Sequence, residues 1–233
     1  MLPYIVVTTL TLAVVLYTEM LQARNAIGGQ AGSLGPSAKV TLIVGTIAKT
    51  LASAAFIACA IAADAFSTVA GQMLFIALVW SFLGDVLLVF KGSRPAFIFG
   101  IAAFLMAHLG YVMLFRVRGL ELTSVLIGLA VFGVFAFFIW RVLSRHVQGG
   151  MRVAVGAYIA VITLMVATSV STSLVVVGPD IFEQALPFVA AFLFWVSDLT
   201  VARQRFVQQS MWNRVIGLPL YYAAQYLFIA LAT

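Results

Sequence analysis

Charge is what this sequence has least of. Only 9% of its 233 residues are Asp, Glu, Lys or Arg, whereas soluble domains carry about a quarter. With 64% hydrophobic residues and a mean hydropathy of +1.15, the chain cannot clothe a water-facing surface, and a soluble fold is excluded. One cysteine, Cys59, leaves no disulfide or cysteine-rich zinc framework; set in an apolar segment, it reads as packing. One histidine inside the apolar segments, with scattered carboxylates, makes no metal set, and no cofactor is expected. The short alternating segments of a membrane barrel are missing too. The net charge is +6, but the basic residues cluster in short loops, which points to membrane topology and not to nucleic acid. The opening MLPYIVV lacks a basic n-region and a cleavage site, so it reads as the start of a first helix.

What is there is a series of eight apolar segments, near 3–22, 38–62, 69–90, 96–115, 122–141, 152–174, 183–202 and 213–232. Each is long enough for a helix of about 20 residues to cross a bilayer. The expected fold is all-α: a polytopic membrane helical bundle of eight transmembrane helices in one integral membrane domain, 1–233. The separators are short and hold the charges, glycines and prolines. Loops 1–2, 3–4, 5–6 and 7–8 carry Arg24, Lys39, Lys91, Arg94, Arg141, Arg145, Arg152, Arg203, Arg205 and Arg214, while the other side has only Arg116 and Arg118 beside Asp64, Glu121, Asp180 and Glu183. Lys and Arg mark the cytoplasmic side. The chain is therefore expected in a bacterial cytoplasmic membrane with both termini outside. The lipid bilayer is its expected partner, and no obligate protein partner is inferred.

Five ionisable residues lie well inside the segments: Glu19, Lys49, Asp85, His108 and Asp198. Each costs about 2.5–3.5 kcal/mol at mid-helix on insertion scales, so they should face one another or a wet cavity. At about 1.5 Å of rise per residue, Glu19, Asp85 and Asp198 fall in the cytoplasmic third of inward-running segments. Lys49, His108 and Gln225 lie nearer the midplane, and Tyr158, Tyr221 and Tyr222 in the cytoplasmic half. That agreement in depth predicts one internal polar cavity opening to the cytoplasm. Local faces fit it: His108 with Tyr111, Tyr221 and Tyr222 with Gln225, and Lys49 with Ser53 are spaced to align on a helix. Gly84, beside Asp85, leaves room for close approach. Bland readings stand alongside. Glu19 reads as a snorkelling side chain near a helix end, Lys49 as a structural ion-pair partner, His108 as an interhelical hydrogen bonder and Tyr158 as an interface anchor. The functional reading leads for Asp85 and Asp198.

Lys49, WSFLGDVLLVF (80–90), FIFGIAAFLMAHLGY (97–111), Tyr158 with Met165, FLFWVSDLTVARQRF (192–206) and YYAAQYLFIA (221–230) occur in this order on successive segments. In this ordered set the sequence resembles the YhhN-type lysoplasmalogenases, membrane proteins of eight spans. The resemblance implies hydrolysis of the vinyl-ether bond of a lysophospholipid substrate, a lysoplasmalogen. The products would be a fatty aldehyde and a glycerophospho-alcohol. It also implies Asp85 and Asp198 as the catalytic pair, with Lys49, His108, Tyr111, Tyr158, Tyr221, Tyr222 and Gln225 supporting them or binding substrate.

The chemistry suits two carboxyl groups. A vinyl ether hydrolyses by protonation at its outer alkene carbon, and water then attacks the oxocarbenium ion. Glycosidases meet a related cation with two carboxylates in different environments. Asp85, flanked by Gly84, Val86, Leu87 and Leu88, is expected to be the protonated acid, because apolar surroundings disfavour charge. Asp198, beside Ser197 and Thr200, is expected to be the ionised partner. Lys49 would hold a carboxylate or the substrate phosphate. Arg203 and Arg205 beyond Asp198 could meet that phosphate, although topology alone explains them. The alternative function is a small proton-coupled transporter, since buried Asp, Lys and His also mark ion pathways. A retinal protein linked through Lys49 is a remote third reading.

Overall fold

The computed structural model describes residues 1–27, 36–90, 93–175 and 180–232. Eight helices form: α1 (Leu2–Ile27), α2 (Pro36–Ala62), α3 (Val69–Val89), α4 (Arg94–Arg118), α5 (Leu122–Leu143), α6 (Gly150–Val175), α7 (Ile181–Ala202) and α8 (Met211–Ala232), with a π-helical turn, Arg203–Val207, prolonging α7. All eight are long and apolar enough to cross a membrane, as expected. Most of the first linker, Lys91 and residues 176–179 lie outside the described residues, as does the Arg24 side chain.

The helices overrun several of the apolar segments. α1 continues five residues past 22, and α4 starts at Arg94 and ends at Arg118. Hydropathy marks where the bilayer interior ends, whereas a helix ends where its free backbone groups find other partners. Four N-termini are closed by side chains. The Thr68 hydroxyl accepts from Gly71 N–H, Ser93 from Ala96, the Glu121 carboxylate from Thr123 and Ser124, and Asp180 from Glu183. Pro95 occupies the first turn of α4, where its missing N–H costs nothing.

Sequence neighbours pair: α1 with α2, α3 with α4, α5 with α6, α7 with α8. The last helix also meets α1, α2 and α3, drawing the bundle together, while α5 leans mainly on α6. Two glycines set close approaches. A Cβ on Gly84 would lie 2.6 Å from ring carbons of Phe104, and one on Gly217 would lie 2.0 Å from Thr200 Oγ1. Small residues at helix contacts let membrane helices pack backbone to side chain, where no hydrophobic driving force separates protein from lipid. Thus α3 seats on α4 beside Asp85, and α8 on α7 beside Asp198. Cys59 is buried in the core, as expected from its apolar setting.

Polar residues sit inside this bundle. Ser53, Asp85, His108 and Gln225 are all buried, whereas Leu126, Phe135 and Phe138 of α5 are exposed. For a bundle in lipid, that inversion puts the polar groups against each other and the apolar ones outward.

Candidate functional site

Asp85, on α3, is 3% exposed and meets three donors. Lys49 Nζ of α2 lies 3.0 Å from its Oδ1. The Ser53 hydroxyl of α2 and the Tyr221 hydroxyl of α8 each donate to Oδ2 at 2.7 Å. Tyr222 braces the arrangement from behind: its hydroxyl is 3.1 Å from Ser53 Oγ and 3.4 Å from the Lys49 carbonyl. The expectation that apolar neighbours surround Asp85 is corrected here. Val86, Leu87 and Leu88 are its neighbours along the helix, but the face carrying the carboxylate turns to α2 and α8. The carboxyl group thus meets an ammonium and two hydroxyls.

Asp198, on α7, is held through one oxygen. Tyr158 of α6 donates to Oδ2 at 2.6 Å, and His108 Nε2 of α4 lies 3.3 Å from the same atom. The other histidine nitrogen, Nδ1, is 2.5 Å from the Phe104 carbonyl, one turn back on α4. A carbonyl only accepts, so Nδ1 carries the hydrogen. This leaves Nε2 opposite a carboxyl oxygen. Among the described residues Nε2 makes no hydrogen bond, so the two groups approach each other without one. Asp198 Oδ1 makes no hydrogen bond or ion pair with any described residue.

Both aspartates line one cavity of about 330 Å³, together with Lys49, Tyr158 and Tyr221. Leu88, Phe97, Ile139, Ile159 and Trp195 make much of its wall apolar. It lies toward the C-terminal ends of α1, α3 and α7 and the N-terminal ends of α2, α4 and α8, the end of the bundle that carries Lys39, Arg94, Arg141, Arg145 and Arg152. Deeper in the bundle a layer of rings follows. Phe194 contacts Phe104, His108, Tyr111, Tyr221 and Phe228, and Tyr111 stacks on Phe228 at 4.0 Å between centroids.

The remaining candidates stand outside the cavity wall. Tyr111 donates a short hydrogen bond to Gln225 Oε1, and both are fully buried. His108 and Tyr222 reach the cavity only through Asp198 and through Ser53 and Lys49. Sequence reasoning paired Ser53 with Lys49 by spacing but gave it no role; a serine one turn from a buried lysine was the available signal.

One expectation is overturned at the cavity mouth. Glu19 does not snorkel; it forms an ion pair with Arg214 of α8, and both side chains line the cavity. Their separation of nearly two hundred positions hid the pair from any local pattern. Arg203 is held by the side-chain oxygens of Asn213 and Gln208, at 2.7 and 2.9 Å. Among the described residues no group of three or more His, Cys, Asp or Glu could hold a metal ion.

Residues 44–232 match the sequence model of the YhhN family. Over 154 residues the chain is 30% identical to a Bos taurus protein named lysoplasmalogenase TMEM86A, covering 66% of this chain and 62% of that protein. Its Homo sapiens counterpart, of the same name, is 28% identical over 155 residues, with the same coverage. The chain thus spans less than two thirds of the length of these relatives. No solved structure matches it significantly.

Proposed function

The chain belongs to the YhhN family, and from that premise we propose that it hydrolyses the vinyl-ether bond of a lysoplasmalogen within the cavity shared by Asp85 and Asp198. The relatives' names support the substrate class. The observation that carries the reading is the unlike setting of the two carboxyl groups on one cavity wall, one paired with Lys49 and the other with His108.

The roles run opposite to those expected from sequence. Asp198 is the acid. Tyr158 donates to its Oδ2, and its unpartnered Oδ1 carries the proton and delivers it to the outer alkene carbon. The electron pair of the double bond forms the new C–H bond, and the ether oxygen stabilises the resulting oxocarbenium ion. The Asp198 carboxylate so formed takes a proton from the attacking water, which bonds to the cationic carbon. The hemiacetal then collapses: its hydroxyl proton leaves, the C–O bond to glycerol breaks, and the glycerol oxygen is protonated. Aldehyde and glycerophospho-alcohol result, and no cofactor enters the balance.

Asp85 serves as the fixed negative charge that favours the cation, and Lys49, Ser53 and Tyr221 hold it in place. Such preorganised charge acts strongly in a water-poor site. Tyr158 orients Asp198, and His108 stands beside it. An apolar wall beside this polar floor suits a single acyl-like chain with a polar head. The ring layer of Phe194, Tyr111 and Phe228 below the carboxylates supports a closed pocket over the path a transporter would need. The positive ends of the helices support placing the cavity mouth at the cytoplasmic face of a bacterial inner membrane.

The test is aldehyde release from a lysoplasmalogen by the purified protein in detergent. Turnover is expected from the native protein and not from Asp198→Asn of unchanged fold. Full turnover by that variant would exclude Asp198 as the acid. Absence of turnover by the native protein, with ion flux in liposomes, would replace the hydrolase reading with the carrier.

A further inference from the structure

Among the described residues, three cations and three carboxylates line the cavity: Lys49, Arg205 and Arg214 against Glu19, Asp85 and Asp198. Two of the cations already have acidic partners. Lys49 pairs with Asp85, and Arg214 with Glu19. The third carboxyl group, Asp198, lies 3.3 Å from His108 Nε2. Arg205 stands apart. Its guanidinium lies over the Phe97 ring, 4.1 Å from the centroid, and among the described residues no carboxylate comes within ion-pair distance of it. Arg205 is thus, among the described residues, the cation of the cavity lining that has no acidic partner.

The place follows from helical spacing. Arg203 and Arg205 are two residues apart and so point to different sides. Arg203 is turned to Gln208 and Asn213, which absorb its donors, whereas Arg205 is turned into the cavity wall and laid on a ring of α4. Stacking on Phe97 orders the side chain by a cation–π contact and leaves its N–H fork free. That fork matches two oxygens of a phosphate in a way a lysine cannot. Arg205 follows Asp198 by seven residues, about 10 Å along a helix axis. A glycerol unit with its phosphoester linkage spans a comparable distance from a vinyl ether to the phosphorus.

We propose that Arg205 is the anchor for a singly charged phosphodiester, the headgroup phosphate of a single-chain glycerophospholipid whose sn-1 linkage lies at Asp198. The inference rests on the lysolipid reading of the cavity. Arg205 sets the register of the substrate: phosphate on Arg205, reacting bond at Asp198, tail along the apolar wall. A substrate without the phosphate loses that register.

The test is binding to the full chain in maltoside micelles. The probes are a saturated alkyl-ether lysophospholipid, which has no double bond to protonate, and the matching alkylglycerol without phosphate. Arg205→Gln should raise Kd for the lysophospholipid at least about tenfold, as expected for loss of a charge-assisted bidentate contact, and leave Kd for the alkylglycerol within about twofold. Arg205→Lys should recover part of the loss. Arg152→Gln removes an equal charge from an arginine stacked on Trp140 outside the cavity lining, and should change neither. Equal loss for both ligands in Arg205→Gln, or equal loss in Arg152→Gln, would overturn the anchor. So would inorganic phosphate binding as tightly as the lysophospholipid, since the site would then be one for free anion. A native protein that binds the ether lipid with this pattern but never releases aldehyde from the vinyl ether would leave the anchor standing and remove the reaction.

Discussion

Lys49 Nζ lies 3.0 Å from Asp85 Oδ1, with 18% and 3% of the two side chains exposed. Breaking a buried ion pair by removing one partner strands the other charge, at a cost of about 3–5 kcal/mol. Lys49→Met should therefore lower the thermal midpoint in detergent markedly, and Asp85→Leu should do the same. The double variant Lys49→Met/Asp85→Leu should be more stable than either single one, because no charge is left alone. Additive losses would show that the two side chains do not act as a pair.

Asp198 is held through Oδ2 by Tyr158, with His108 Nε2 3.3 Å from the same oxygen. His108 does not line the cavity, so it acts through Asp198 as a positioning residue. Asp198→Asn should lower turnover by about a hundredfold to ten-thousandfold, the range for loss of a general acid, with little change in affinity for an unreactive ether lipid. His108→Gln should keep that affinity but change the pH dependence of turnover. A uniform loss at every pH would assign His108 to packing alone.

The end of the protein opposite the cavity offers a pH reading free of the site. The Glu121 carboxylate caps α5 and is held down at about 2 from its usual 4.5, first by the Ser124 side chain, then by Thr123 and the backbone amides of both. A depressed acid favours the folded state above its unfolded value and loses that contribution as pH falls through its folded value. Glu121→Gln should therefore be less stable than the native protein above about pH 4.5. The gap should shrink between 4.5 and 2 and be absent below. A gap that is constant across this range would show that capping by the charged form is not the source.

Gly84 gives a packing test. A methyl group there would meet the Phe104 ring at 2.6 Å. Overpacking of this kind costs about 1–3 kcal/mol, so Gly84→Ala should destabilise the protein. Adding Phe104→Leu should recover part of the loss, since it removes the ring carbons that clash. No recovery would place the strain elsewhere, in the α3 backbone.

The helices, their number and the depth of the polar set were legible in the sequence because each follows from one-dimensional quantities: run length, loop charge and rise per residue. Asp85, Asp198, Lys49, Tyr158 and Tyr221 do share one cavity wall. Partner choice was not legible. Asp85 looks apolar along its helix, and only the rotation of α3 against α2 and α8 shows that Lys49, Ser53 and Tyr221 converge on it. Glu19 and Arg214 meet because α1 and α8 are neighbours in the bundle, a relation that no spacing encodes. Spacing puts Arg203 and Arg205 on different sides, but which of them meets the cavity was not legible. Tyr111 and Gln225 share the expected depth but bond to each other, since depth alone does not say which way a side chain faces.

The central claim is that Asp198, and not Asp85, is the proton donor to a vinyl ether. The most direct measurement is solvent-isotope incorporation into the released aldehyde. Native protein and Asp198→Asn and Asp85→Asn variants, all verified as folded, would be given lysoplasmalogen in deuterated water. The account predicts that the native protein releases aldehyde carrying one deuterium on the carbon next to the carbonyl. It predicts slower release of the same labelled product by Asp85→Asn, whose cation is less well stabilised, and none above background by Asp198→Asn. Labelled aldehyde from Asp198→Asn at the native rate, or aldehyde from the native protein without the label, would contradict it.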